Sequence, residues 1–234
     1  MKFGPQRDAA GLGDVLLFTA ICKHFPMQHT IQLYPEISRF RILFDHLANV
    51  EITEDVNVLK DVKNPSAHAS VEKLRNFFGK TADTCNPLPL VLHFDIDAHE
   101  KAVNILEGIE KPVIFNPYCA KRWAHVRNMP KDVIDLALNQ IKYNKQTPIG
   151  CYSSKNHQEV TGVKKEIIDL DLSTYIHLLR IVGEYFGTNT GDMHLAAAVG
   201  CKINCYNPPS QSVFNHINWL YKHPTVTNYK YHND

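Results

Sequence analysis

Residues 185–209, "YFGTNTGDMHLAAAVGCKINCYNPP", decide how this chain is read. The stretch opens on aromatic residues suited to a strand and then breaks on Gly, Asn and Thr, which favour a tight turn. "GDMHLAAAVG" follows as a short helix whose alanines at 196, 197 and 198 allow close packing on a sheet. "KINCYNP" returns as a strand. Strand, helix and strand in that order form a βαβ unit with parallel strands. Thr190 and Gly191 sit at the helix start, where free backbone N–H groups suit phosphate oxygens. His194 lies one turn further in, either as a packing residue or as a ligand contact.

Outward from this unit the same alternation continues. "KPVIFNP", "TPIGCYS" and "EIIDL" read as strands. "PKDVIDLALNQIKY" reads as a helix starting at Pro130, and "STYIHLLRIV" as a helix with Ser173 as its expected N-cap. Upstream, "DVLLFTAICKHF", "EISRFRILFDHL", "ASVEKLRNFFGK" and "AHEKAVNILEGI" have helical spacing. "TIQLY", "NVEITED", "VNVLK" and "LPLVLHFD" read as strands between them. The clearest break in the series is "EGIEKP", residues 107–112. The expectation is an α/β protein of two Rossmann-like lobes, 1–108 and 109–234, with a cleft between them.

Composition supports a packed globular chain. Of 234 residues, 44% are hydrophobic and 21% charged, enough apolar content for a core and too little charge bias for disorder. A net charge of +1 gives no global attraction to nucleic acid or membrane surfaces. No apolar run approaches the roughly 20 residues of a membrane-spanning helix, and "MKFGPQRDAAG" has no apolar core of a secretory signal. The six cysteines form no CxxC pair. A reduced, cytoplasmic protein is expected.

The second informative stretch is "GLGDVLLFTAICKHFP", residues 11–26. It lacks the third glycine of a dinucleotide fingerprint and the GK[ST] of a P-loop. Two readings stand. Asp14 caps the following helix, or Gly11 and Gly13 let the backbone approach a ligand beside a working carboxylate.

Three segments together resemble glycosyltransferase family 9, the lipopolysaccharide heptosyltransferases. "NTGDMHLAAAVGCKI" is similar to that family's D-[ST]-G-x-x-H-L-A-A-A-x-G-x-P signature. "GLGDVLLFTAI" resembles its N-terminal GDVLLTTPAL segment. "VIFNPYCAKRWAHVRNMP" resembles the opening of its C-terminal lobe, a strand ending in Pro-Gly followed by K-x-W-P. The resemblance implies a GT-B arrangement, with nucleotide-diphospho-sugar on the C-terminal lobe and acceptor on the N-terminal lobe. It implies an inverting, metal-independent transfer of a sugar, heptose or another, to a glycan or lipid-linked acceptor. By the same resemblance Asp14 is the general base and Lys121 meets the donor phosphates. The donor-binding set is Gly11, Gly13, Asn116, Lys121, Arg122, Ser153, Asn189, Thr190, Gly191, Asp192 and His194. No cofactor beyond the donor substrate, no nucleic acid and at most peripheral membrane contact are expected.

This sequence departs from the family pattern in four places. Asn189 stands where the family has aspartate, and Tyr118 and Cys119 replace the glycine after Pro117. The first strand, "KFGPQRDAA", is interrupted by Pro5, Arg7 and Asp8, and the N-terminal lobe is short. These departures define the alternative, a non-catalytic nucleotide-sugar-binding module of the same fold. "DID" (95–97) and "DLD" (169–171) both match a DxD metal motif, which shows how little the motif discriminates. The aromatic, basic tail from residue 214 is expected to form a closing helix and strand.

Overall fold

The computed structural model describes residues 2–3, 11–24, 27–55, 94–119, 124–153, 158–207 and 226–231. The expected elements "VNVLK", "ASVEKLRNFFGK" and "LPLVLHFD", and the helix of the tail, lie outside them. The chain divides into two compact units, Met1–His93 and Phe94–Asp234.

In the first unit, strands β1 (Lys2–Phe3), β2 (His29–Gln32) and β3 (Val50–Thr53) form a parallel sheet in the order β1-β2-β3. β1 is only two residues long, in keeping with Pro5 three residues after Lys2. Helix α1 (Leu12–His24) buries Val15, Leu16, Phe18, Thr19, Ala20 and Cys22. Gly11 accepts the first helical bond, from Val15 N–H at 3.2 Å. Asp14 is therefore the third residue of the helix rather than its cap. "EISRFRILFDHL" forms a 3₁₀ helix, Pro35–Phe44, rather than an α-helix. Its ends carry i→i−3 bonds, Ile37 N–H to Tyr34 and Asp45 N–H to Ile42, and Pro35 at the first position has no N–H to give. Ile37, Phe40, Leu43 and Phe44 are buried, as their spacing predicts.

The second unit contains a six-stranded sheet of β4 (Pro112–Asn116), β5 (Thr147–Tyr152), β6 (Lys165–Ile168), β7 (Glu184–Thr188), β8 (Lys202–Asn207) and β9 (Val226–Lys230). All its ladders are parallel, and the order is β6-β5-β4-β7-β8-β9. Numbered from the first strand of the unit, that is the doubly wound order 3-2-1-4-5-6. The sheet reverses direction between β4 and β7, so the carboxyl ends of these two strands flank the switch point.

Helices α2 (Ile96–Leu106), α3 (Ala124–Arg127), α4 (Lys131–Tyr143), α5 (Leu172–Val182) and α6 (Gly191–Ala198) accompany this sheet. α2 packs against α5 and groups with the second unit, although the sequence reading placed it before the 108/109 boundary. It starts earlier than its apolar spacing suggested because Asp95 caps it, accepting from Ala98 N–H at 3.0 Å. The cap of α5 is Asp171 and not Ser173. Asp171 accepts from Thr174 N–H at 2.9 Å and from the Thr174 hydroxyl at 2.7 Å. Ser173 instead donates to Asp95 Oδ2 at 2.8 Å, tying α5 to the head of α2. One aspartate of each DxD match thus caps the start of a helix.

The core between sheet and helices holds Val113, Phe115, Met129, Val133, Ala137, Ile141, Phe186 and Tyr206. At Gly187 a Cβ would collide with the carbonyl oxygen of Asn116 and the Tyr185 ring, so only glycine lets β4 and β7 meet here. α6 ends in a paired C-terminal turn. Gly200 at φ +93° donates to Ala197, and Cys201 donates to Ala196.

Candidate functional site

The chemistry-bearing residues of the second unit gather at the switch point. Asn116 is the last residue of β4 and Thr188 the last of β7. Asn189 follows, then Thr190 as the N-cap of α6, then Gly191 and Asp192 in its first turn. Thr190 is extended, at φ −133° and ψ 173°, and its side chain does not cap the helix. Its hydroxyl lies 3.5 Å from the Tyr185 hydroxyl instead. Among the described residues, therefore, the Thr190 side chain does not cap the backbone N–H groups of the first turn.

Asn116 is wholly buried, and its amide acts as a hub. Nδ2 donates to the Tyr175 hydroxyl at 3.2 Å and to Asp192 Oδ2 at 3.3 Å, while Oδ1 accepts from Cys151 N–H at 3.0 Å. One side chain thereby links β4, β5, α5 and α6. Its donors are spent inside the fold, so Asn116 bears on a ligand through Asp192. Burial pushes the Asp192 carboxyl up to about 6, against the hydrogen bond from Asn116, which favours its ionised form. Tyr175 and Tyr185 are raised well above the usual phenol range by burial.

The loop after β4 is shaped by the residues that follow α3. Asn128 Oδ1 accepts from Cys119 N–H at 2.9 Å, and Met129 N–H donates to the Pro117 carbonyl at 2.9 Å. Arg127 Nη1 donates to the Asn189 carbonyl at 3.4 Å, and the Thr188 hydroxyl donates to the Arg127 carbonyl. The end of α3 is thus pinned to the end of β7.

The structure brings Asn116, Asn189, Thr190, Gly191, Asp192 and His194 into this one region. Asn189, Thr190 and His194 are buried, and Gly191 and Asp192 are half-buried. Ser153 is exposed just past the carboxyl end of β5, the next strand along. Lys121 and Arg122 lie outside the described residues. Gly11, Gly13 and Asp14 belong to the first unit, at the head of α1.

Sequence reasoning missed the partners of Asn116, because Tyr175 and Asp192 lie 59 and 76 residues away. It also missed Gln32, the last residue of β2, which is 1% exposed and has no hydrogen bond on either amide atom among the described residues. A cavity of about 490 Å³ lies at the opposite, amino-terminal end of the second sheet, lined by Lys111, Gln146, Glu184 and Lys202 among others. Glu184 there already accepts from Lys202 at 2.8 Å, Asn204 at 2.9 Å and Gln146 at 2.6 Å. Doubly wound sheets bind their ligands at the carboxyl ends, so the switch point is the stronger candidate.

No family model and no curated protein matches the sequence. Solved structures do resemble it in fold. A family 9 glycosyl transferase from Veillonella parvula superposes with a TM-score of 0.61 at 11% identity, covering 100% of this chain and 87% of that one. The ADP-heptose lipopolysaccharide heptosyltransferase II of E. coli gives 0.59 at 12% identity, with 98% and 89% covered. The dodecameric iron-containing heptosyltransferase TibC, in complex with ADP-D-β-D-heptose, gives 0.60 at 11% identity, with 97% of this chain and 62% of that chain covered. At such identities the likeness is one of architecture: the chain has the α/β fold of family 9 glycosyltransferases and lipopolysaccharide heptosyltransferases.

Proposed function

We propose that this protein is an inverting glycosyltransferase that moves a sugar from a nucleotide-diphospho-sugar to a hydroxyl of a glycan or lipid-linked acceptor. The observation that carries the reading is the turn of residues 189–192. It opens an eight-residue helix at the switch point of a doubly wound sheet, in a fold shared with enzymes of that class. Such a helix start offers N–H groups and a positive dipole end to a diphosphate. ADP-heptose, the ligand of TibC, makes an ADP-linked sugar the first donor to try.

In the proposed reaction the acceptor oxygen attacks C1 of the donor sugar from the face opposite the diphosphate. The C1–O bond to the diphosphate breaks, its electrons leave with the nucleoside diphosphate, and the hydroxyl proton passes to Asp14. Inversion follows from a single displacement, and a metal is not needed if cations meet the leaving group. Lys121 is the residue assigned that task, with Arg122 beside it. A cytoplasmic setting agrees with five buried cysteines that form no disulfide among the described residues. No helix among the described residues is long and apolar enough to cross a membrane.

Asn189 favours a second reading, a nucleotide-sugar-binding module without turnover, since an amide replaces the signature carboxylate. Calorimetry with ADP-, GDP- and UDP-linked sugars tests the donor site, with a micromolar dissociation constant expected for one of them. No binding by any of the three would refute both readings. Binding without transfer or donor hydrolysis, across a panel of acceptors, would select the module.

A further inference from the structure

At the amino-terminal end of the second sheet, the segments that lead into β4, β5, β7 and β8 meet around the cavity of about 490 Å³. Backbone bonds tie them in pairs. Thr147 N–H donates to the Lys111 carbonyl at 3.0 Å, and Lys202 N–H donates to the Gly183 carbonyl at 2.9 Å. The walls are therefore set before anything enters. The volume falls within the roughly 300–1,000 Å³ of small-molecule sites and far exceeds the ~30 Å³ share of one water. Glu184 in the wall is already spent, since its two oxygens accept from Lys202, Asn204 and Gln146. Other polar groups of the lining are not. Lys111 forms no ion pair among the described residues, and Lys202 remains 58% exposed with Nζ on Glu184. Gln146 Oε1 has no hydrogen bond among the described residues, while Nε2 of the same amide is fixed by Glu184. Two lysines here also hold a backbone conformation that suits glycine. Lys111, directly before β4, has φ +45°, and Lys145, directly before Gln146, has φ +55°. A residue with a side chain is strained in that region, and strain kept beside a cavity points to a use for the side chain.

We propose that this cavity is a second ligand site of the protein, and that it takes a phosphorylated sugar. Lys111 and Lys202 meet the phosphate as charge-assisted donors. Asn144 and Gln146 meet the hydroxyls, a small turn of the Gln146 amide giving Oε1 the partner it lacks. Pro112 and Ile181 give the C–H face of the ring an apolar wall. Helices α4 and α5 end at this rim, at Tyr143 and Val182. The negative ends of their dipoles favour hydroxyl donors over a bare anion, so the lining suits an anion that also carries hydroxyls. No aromatic ring is among the residues lining the cavity, so nothing there stacks on a nucleobase. Glu184 keeps Lys202 and Gln146 in place and makes no contact with the ligand. The site lies at the other end of the strands from the turn of residues 189–192, roughly 13 Å away along β7. It stands whether or not that turn binds a nucleotide sugar.

The test is titration of the whole, isotope-labelled protein with glucose 6-phosphate and ribose 5-phosphate, followed by amide chemical shifts in nuclear magnetic resonance. Inorganic phosphate and glucose are titrated as the two halves of the ligand. At least one sugar phosphate should bind with a dissociation constant of about 0.1–1 mM. The shifts should fall on residues 111, 144, 146 and 202. Phosphate alone and glucose alone should each bind about tenfold or more weakly, since each forfeits the other's contacts. Lys111→Gly removes the ammonium and the backbone strain together. It should weaken binding by about tenfold or more while the urea midpoint stays level or rises, and Lys111→Arg should keep the affinity. No shift at these residues with either sugar phosphate up to about 20 mM overturns the inference on the unmodified protein alone. Shifts confined to residues 189–192 overturn it as well, because the phosphate would then sit at the donor turn. Inorganic phosphate binding as tightly as both sugar phosphates reduces the site to a plain anion patch and overturns it too. So does unchanged affinity in Lys111→Gly. Failure of nucleotide sugars to bind the protein refutes the donor site and leaves this inference untouched.

Discussion

Asn116→Ala tests the hub on which the candidate site is built, whatever the site binds. The substitution removes bonds of 3.2 Å to Tyr175, 3.3 Å to Asp192 and 3.0 Å from Cys151. Tyr175 and Cys151 are buried, and alanine gives neither a replacement partner. Each buried group left without a partner costs about 1–3 kcal/mol. Asp192 is half-buried and regains some hydration, so its loss lies at the low end. The expected sum is about 3–6 kcal/mol, a large share of the roughly 5–15 kcal/mol that holds a domain together. Urea unfolding followed by far-UV circular dichroism reads this directly. At a slope of about 2 kcal/mol per molar, the midpoint should drop by roughly 1.5–3 M. Asn116→Asp sharpens the test. It can keep the bonds to Cys151 and Tyr175 but sets a second carboxyl against Asp192, so its deficit should be small at pH 5 and grow toward pH 8. A loss below about 1 kcal/mol in Asn116→Ala would refute the hub, because those two buried groups would then have found other partners.

Asp192→Asn should stabilise the protein at neutral pH. A carboxyl raised to about 6 on folding favours the native state below its ordinary value near 3.8 and loses that advantage as pH rises through 6. The variant's gain should therefore open between pH 4 and 6 and level off at up to about 3 kcal/mol, at about 1.4 kcal/mol per unit, as read from urea midpoints across that range. Gln32→Met replaces a buried amide, without hydrogen bonds among the described residues, by an apolar chain of similar length. Thermal unfolding should show a gain of about 1–3 kcal/mol, and a loss would mean that Gln32 is satisfied in solution. Asp14→Asn should leave nucleotide-sugar binding intact while transfer falls by about 10²–10⁴-fold. Its effect on folding should be small, about 0.3–1 kcal/mol, because residue 14 is in the first turn of α1 and contributes through the helix dipole. Transfer at the unmodified rate would remove Asp14 from the mechanism.

The second unit was legible because local signals and global order agree there. The series of strands and helices from "KPVIFNP" to "KINCYNP" appears in the structure element by element. Pro130, the glycine at 200 and the small residues of α6 have local causes that sequence alone displays. The misreadings also have local causes. Ser173 and Asp171 are both good caps two residues apart, and the structure uses the aspartate because the serine is engaged by Asp95 across a tertiary contact. Helical spacing at 37, 40, 43 and 44 identifies the buried face of residues 35–44 but not the helix type. The site was legible only as a turn. What surrounds the turn comes from β4, β5 and α5, and no spacing in the chain announces that Asn116 and Asp192 meet.

The two ends of the second sheet show why the turn is worth the stability it forgoes. At the amino-terminal end, Glu184 accepts three hydrogen bonds, and its carboxyl is held below the usual range by Lys202, Gln146 and Asn204 acting against burial. That is the arrangement expected where a buried charge has only a structural task. At the carboxyl-terminal end the balance reverses. Among the described residues Asp192 has one amide partner and is raised, and the side chain of the cap residue Thr190 does not cap. Filling these positions for stability alone is easy: serine or aspartate in a capping geometry at 190, and an apolar residue at 192. The chain instead keeps a helix start without a side-chain cap and a raised carboxyl at the place where a doubly wound sheet receives its ligand. That combination at the switch point is a better guide to the site than any one residue of the signature.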